Sequence, residues 1–186
     1  MKLVSTETLS DAWGTLRRHT LADGSTREVY DHGHAVGCLA TDPVRGTVLL
    51  VRQHRLAIQL HDVDLGGAPH DGMSLEVPAG LIDPGEAPER TMRREMEEET
   101  GYRLRDLVPV ADLYASPGSL SERMVLFAAT YRPEDRVAAG GGLAEEGEAI
   151  EVVEMPLADA LAMLGDGRIR DLKTAFLLAH AARERR

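Results

Sequence analysis

Cysteine is almost missing: Cys38 is the only one among 186 residues. A single thiol closes no disulfide within the chain, which predicts a fold held by its core and a reducing compartment. Long apolar runs are missing too. A membrane helix takes roughly 20 consecutive apolar residues, and no stretch approaches that. The opening "MKLVSTETLSDAW" carries too short an apolar run for a secretory leader. Basic character is scarce, with 21 Lys and Arg against 31 Asp and Glu and a net charge of −10. That balance argues against a general nucleic-acid binder. Together these absences predict a soluble, cytoplasmic protein with neither nucleic acid nor membrane among its partners. No internal repeat is present.

What is there suits one domain with a small appended arm. Hydrophobic residues make up 43% of the chain and charged residues 28%, enough for a core inside a polar surface. An acidic protein can still handle phosphates if something positive screens its carboxylates, and a divalent metal is the usual means.

Along the chain, "WGTLRRHTLADGSTREVYDHG" (13–33) alternates around Asp23-Gly24 as a hairpin would, and "HAVGCLAT" and "GTVLLVRQHR" are strand-like about a "DPVRG" turn. Residues 56–75 hold Gly-containing breaks and read as a long mobile loop. "LEVPAG" is a short strand running into a turn. "PERTMRREMEEET" is a helix with Met92 and Met96 on its buried side and Gly101 as its stop. "DLVPVADLYASPG", "RMVLFAATY" and "AIEVVEM" read as strands, with "GGGLAEEGE" (140–148) a flexible acidic loop before the last of them. Two helices, "PLADALAMLGDG" and "IRDLKTAFLLAHAARERR", close the chain. Strands and helices mix without regular alternation, which predicts an α+β fold, a sheet sandwiched between helices.

The stretch "RREMEEETG" (93–101) crowds four glutamates onto one helix. Like charges at i,i+4, such as Glu95 and Glu99, cost roughly 0.2–0.5 kcal/mol per pair. At 100° per residue, Glu95, Glu98 and Glu99 fall on one face and Glu97 elsewhere. Converging carboxylates suit Mg²⁺ or Mn²⁺, which take oxygen ligands and keep positions open for water and phosphate. Taken alone, a glutamate run is more often a solvated helix face.

The spacing around the run reverses that preference. Gly80, Glu86, Arg94, Glu95, Met96, Glu98, Glu99, Gly101 and Tyr102 fall at the intervals G-x5-E-x7-R-E-U-x-E-E-x-G-U, where U is bulky and apolar. This resembles the signature of the Nudix hydrolases at all seven fixed identities, over 23 residues. The resemblance implies a mixed sheet between helices and metal-dependent attack of water on a pyrophosphate. It implies Glu95, Glu98 and Glu99 as metal ligands, with the backbone carbonyl of Ala79, and an ion pair of Glu86 with Arg94 that fixes the loop after Gly80 against the helix.

Outside the signature, three stretches are similar to the branch that cleaves ADP-ribose and other nucleoside diphosphate sugars. Pro117 lies sixteen residues after Gly101 within "SPGSLSE", which ends on Glu122, and both are candidate substrate contacts. "LLVRQHR" places Arg55, and less directly Arg52, at the substrate diphosphate. "GGGLAEEGEAIEVVEMPL" resembles the loop that delivers the catalytic carboxylate, with Glu146 as general base and Glu148 as a further catalytic group and metal ligand. Residues 1–36 resemble an arm that forms a swapped sheet across a homodimer, with 37–186 the hydrolase domain. Arg27 then reaches the partner's substrate. Trp13 either stacks on the nucleobase or is buried at the interface.

The resemblance thus predicts a homodimeric, Mg²⁺-dependent hydrolase (Mn²⁺ as the other candidate). ADP-ribose stands first as its substrate, cleaved to AMP and ribose 5-phosphate. GDP-mannose or a UDP-sugar is the alternative. A binding module that senses ADP-ribose without cleaving it is the rival from another class. An enzyme for oxidised nucleotides or dinucleoside polyphosphates is disfavoured by the Pro117 spacing and the long arm.

Overall fold

The computed structural model describes residues 2–64 and 71–184, the side chains of 61–64 and 146 excepted. Two sheets carry it. Strands β1 (Leu3–Asp11), β2 (Thr15–Leu21) and β3 (Thr26–Asp31) form an antiparallel three-stranded sheet. The larger, seven-stranded sheet is built from β4 (Ala35–Asp42), β5 (Thr47–His54), β6 (Met73–Glu76), β7 (Ala79–Leu81), β8 (Arg105–Tyr114), β9 (Arg123–Thr130) and β10 (Glu151–Pro156). Its order is β10-β5-β4-β9-β8, with β6 beside β5 and β7 beside β4. The sheet is mixed, because β4 and β9 run parallel from Ala35↔Met124 to Thr41↔Thr130 while the other pairs are antiparallel.

Period-two alternation along the central strands sorts side chains to two faces. Val36, Cys38, Ala40, Leu49, Phe127 and Ala129 meet Met92 and Met96 of helix α2 (Pro88–Thr100). Their neighbours Leu39, Val48, Leu50 and Leu126 meet Leu157 and Ala160 of α3 (Leu157–Gly165) and Leu177 and Leu178 of α4 (Leu172–Glu184). Both faces are covered, which is why β4 is buried along nearly its whole length. The architecture is the predicted α+β sandwich.

Helix α2 earns its place through packing. Pro88 enters its first turn, Glu89 complements the helix dipole there, and Gly101 ends it in the left-handed region at φ 77°. Met92 and Met96, both fully buried, each contribute about 1.5–3 kcal/mol of apolar burial. That outweighs the few tenths of a kcal/mol of repulsion between the helix glutamates.

Two elements differ from the sequence reading. The segment 56–75, read as a loop, contains helix α1 (Leu56–Asp64) and the first three residues of strand β6, with residues 65–70 outside the described part. Residues 56–64 have no glycine or proline, and the Arg55 carbonyl accepts from the Ile58 and Gln59 N–H groups to start the turn. Strand β1 lies before the predicted hairpin. Its residues are nearly all exposed and it pairs only with β2, so it shows no apolar alternation to read. Among the described residues no helix is long and apolar enough to cross a membrane.

Candidate active site

The five residues Glu76 to Gly80, joining β6 to β7, organise the site. Glu76 holds Arg55 from the end of β5 by two hydrogen bonds of 3.0 and 2.8 Å and Lys173 from the first turn of α4 by one of 2.6 Å. The Val77 N–H donates to buried Thr174 Oγ1 on α4 at 2.8 Å. The Ala79 N–H donates to Glu99 Oε2 at 3.0 Å. Gly80 lies against α2, and any Cβ there would stand 2.0 Å from the Glu95 carboxyl carbon.

On α2 the glutamates are not a solvated face. Glu99 is 1% exposed and Glu95 9%. Burial pushes the Glu95 carboxyl up to about 7, against the nearby Arg94 charge and with help from Glu98 and Glu148. Burial likewise lifts Glu99 to about 8, against the Ala79 N–H and with help from Glu95 and Glu148. Arg94 lies among the acids: Nη1 is 2.8 Å from Glu95 Oε1 and 2.9 Å from Glu98 Oε2, while Nη2 is 3.4 Å from Glu86. Glu86 also accepts from Thr91 Oγ1 at 2.9 Å, so the loop after Gly80 is tied to the helix at two points.

The glycine run 140–142 docks on the end of α2 instead of standing free. The N–H groups of Gly141 and Gly142 donate to the carbonyls of Glu99 and Glu98 at 2.8 and 3.1 Å, satisfying acceptors that a helix end leaves open. Gly142 adopts φ 77°, and a Cβ there would stand 2.5 Å from Glu148 Oε2. Glu148 Oε2 in turn accepts from the Leu143 N–H at 2.9 Å, which turns this carboxylate back toward α2.

Between these elements lies a cavity of about 650 Å³, with Glu95, Glu148, Ala79 and Gly80 on its wall. Arg55, Lys173, Gln53 and His32 line it too, and Glu122 lies 3.8 Å from His32 Nε2. Trp13 is 72% exposed and stacks on His32 at the cavity, with ring centroids 5.0 Å apart. Other candidates lie elsewhere. Arg52 pairs with Glu151 and Asp71, Arg27 bonds the Thr26 carbonyl, and neither they nor Pro117 line the cavity. Glu98 is held by Arg94, and the Glu146 side chain lies outside the described residues. Glu76, Lys173 and His32 belong to no motif in the sequence. A glutamate inside the apolar strand "LEVPAG" was the one visible signal, since a buried carboxylate requires partners.

A family model described as the NUDIX domain matches residues 31–176. The chain belongs to the Nudix family. Its GDP-mannose pyrophosphatase relatives include one from Yersinia enterocolitica, 40% identical, with 96% of this chain and 93% of that protein covered. The protein of that name from Pectobacterium atrosepticum is also 40% identical, over 96% of this chain and 92% of its own. A crystal structure of an ADP compounds hydrolase shares the fold at a TM-score of 0.73 and 21% identity, over 98% of this chain and 92% of that one. Nudix hydrolases act on phosphoanhydride bonds and generally depend on a divalent metal.

The donor set fits such a metal. Glu95, Glu98, Glu99 and Glu148 are hard oxygen donors, and burial disfavours the charged form of two of them, Glu95 and Glu99, a cost that a bound cation would offset. Among the described residues no three acidic, histidine or cysteine side chains already stand in a ligating arrangement. Arg94 is the countercharge at Glu95 and Glu98 instead.

Proposed function

We propose that this Nudix hydrolase cleaves the pyrophosphate bond of a nucleoside diphosphate sugar, GDP-mannose first. Water adds to one phosphorus and the bond to the bridging oxygen breaks, releasing GMP and mannose 1-phosphate. The observation that carries the reading is the 40% identity to GDP-mannose pyrophosphatases over 96% of the chain. At that coverage the alignment reaches well beyond the signature. The expectation of ADP-ribose therefore yields first place to its alternative, and ADP-ribose becomes a competing substrate in the test.

Glu95, Glu98, Glu99 and Glu148, with the Ala79 carbonyl, would hold Mg²⁺ or Mn²⁺, which when bound polarises phosphoryl oxygens and acidifies an attacking water. Arg55, on the cavity wall, supplies positive charge to the diphosphate. Glu146 is the proposed base that takes the water proton, with Glu148 the other candidate. Gly80 and the Glu86–Arg94 pair keep Glu95 and its helix against the loop. Trp13 presents an open ring face to a base, and Glu122 beside His32 offers an acceptor for hydroxyl or amide groups.

We extend the proposal to a homodimer in the cytoplasm, in which residues 1–36 are exchanged and Arg27 reaches the partner's cavity. The exposure of Trp13 and of β1 supports that reading. Purified protein incubated with Mg²⁺ and separate GDP-mannose, ADP-ribose, UDP-glucose and nucleoside triphosphates tests the assignment by its products. Faster cleavage of triphosphates than of any nucleotide sugar would overturn it. Binding of ADP-ribose with no cleavage of any compound would replace it with the sensor.

A further inference from the structure

Glu76 is 3% exposed, yet it faces two cations from distant elements. Arg55 grips it as a fork, Nε on Oε1 at 3.0 Å and Nη2 on Oε2 at 2.8 Å, leaving Nη1 outside the fork. Lys173, itself only 10% exposed, donates to Oε2 at 2.6 Å and to Asp171 at 2.9 Å. Asp171 Oδ2 accepts from the Thr174 N–H at 2.9 Å, which fastens it to the first turn of α4. The group is electrically balanced but oriented. Both cations line the cavity, as do Glu95 and Glu148, while Glu76 and Asp171 do not. Burial opposes ionisation of Glu76, but the Arg55 hydrogen bonds and the Lys173 charge prevail and hold its carboxyl at about 2.

We propose that Glu76 is a positioning residue that locks the Arg55 guanidinium and the Lys173 ammonium into one pair facing the substrate diphosphate. The proposal rests on the nucleotide-sugar reading for the identity of that ligand. Long cationic side chains lose rotamer freedom when they bind, and a pair frozen beforehand spares the ligand that cost. A carboxylate can do this for two cations at once because both of its oxygens only accept. Glutamine cannot, since its NH₂ group would point a donor at a donor. Lysine at position 55 would keep the charge and lose the fork.

The test compares wild type with Glu76→Gln, Arg55→Lys, Arg55→Met and the double variant Glu76→Gln/Arg55→Met. Steady-state hydrolysis of GDP-mannose with Mg²⁺ is measured beside calorimetric binding of GDP without metal. Glu76→Gln should raise KM and the GDP Kd by about tenfold or more while kcat falls less, because preorganisation acts on binding. The double variant should bind GDP no worse than about threefold below Arg55→Met, since the two residues act as a unit. A folded Glu76→Gln that binds GDP within about twofold of wild type, or losses that simply add, would overturn the proposal. If Glu76→Gln does not fold, Arg55→Lys decides: a tenfold weaker Kd upholds the fork and an unchanged one refutes it. A wild type that binds GDP but cleaves no nucleotide sugar removes the proposed function and leaves the Glu76 comparison standing. A wild type that binds no GDP removes both.

Discussion

Glu95 occupies the space that a side chain at position 80 would need: a Cβ there would stand 2.0 Å from the Glu95 carboxyl carbon and 2.2 Å from Oε1. The glycine that opens the signature and its first helix glutamate are therefore two halves of one contact.

Gly80→Ala should displace Glu95 without touching the core, because residue 80 sits on the cavity wall and not within either apolar cluster. A misplacement on the order of 1 Å can cost about 100-fold in rate, and kcat should fall by at least that much. Circular dichroism should show the fold retained. Wild-type kcat in the alanine variant would mean that Glu95 has another productive position.

The pH dependence of the metal-free protein follows from the two lifted carboxyls. Between the ordinary value of 4.5 and the folded values of about 7 and about 8, the folded chain binds more protons at Glu95 and Glu99 than the unfolded chain does. Stability then falls as pH rises through that window. Glu99→Gln removes one titrating group, so its Tm should decline less than wild type between pH 5 and pH 8 in EDTA, roughly the span over which the linkage acts. Adding Mg²⁺ at the upper pH should restore wild type and help the variant less. Parallel Tm curves for the two proteins would reject the assignment, as would near wild-type turnover of Glu99→Gln with saturating Mg²⁺.

The two loop glutamates should separate by kinetics. Glu146→Gln should lower kcat by about 10²–10⁴ without altering the Mg²⁺ concentration that gives half-maximal rate. Glu148→Gln should raise that concentration. Should Glu146→Gln lose no more activity than Glu148→Gln, the base is Glu148.

Thr174 tests how α4 is fastened to the site. Its hydroxyl accepts the Val77 N–H and donates to Asp171 at 2.5 Å. Thr174→Val keeps the shape and leaves that N–H buried without its acceptor, at about 1–3 kcal/mol. In a domain of this size that lowers Tm by roughly 3–10 °C. An unchanged Tm would show that the N–H has found another acceptor.

Much of α2 was open to reading because its information is local. Helical periodicity alone puts Glu95, Glu98 and Glu99 on one face and Met92 and Met96 inside, and Gly101 marks the stop. The fixed intervals from Gly80 to Tyr102 carried the family, and the irregular succession of strands and helices carried the layered sheet. Helix α1 and strand β1 escaped because neither shows a clear apolar face. Leu56 and Leu60 are 58% and 51% exposed, and β1 is held by its ladder to β2 instead of by burial.

Residue types and spacings thus determined the family, the glutamate face and the class of bond attacked. Folding decided which charges meet. Glu76 and Lys173 are 97 positions apart and Arg55 joins them from 21 residues before Glu76, so no local pattern links the three. The same holds for burial. A run of glutamates reads as solvated until Gly80 brings β7 against Glu95 and the Ala79 N–H against Glu99. Burial and long-range pairing are properties of the packed sheet and helices, and they turn an acidic helix face inward against β7.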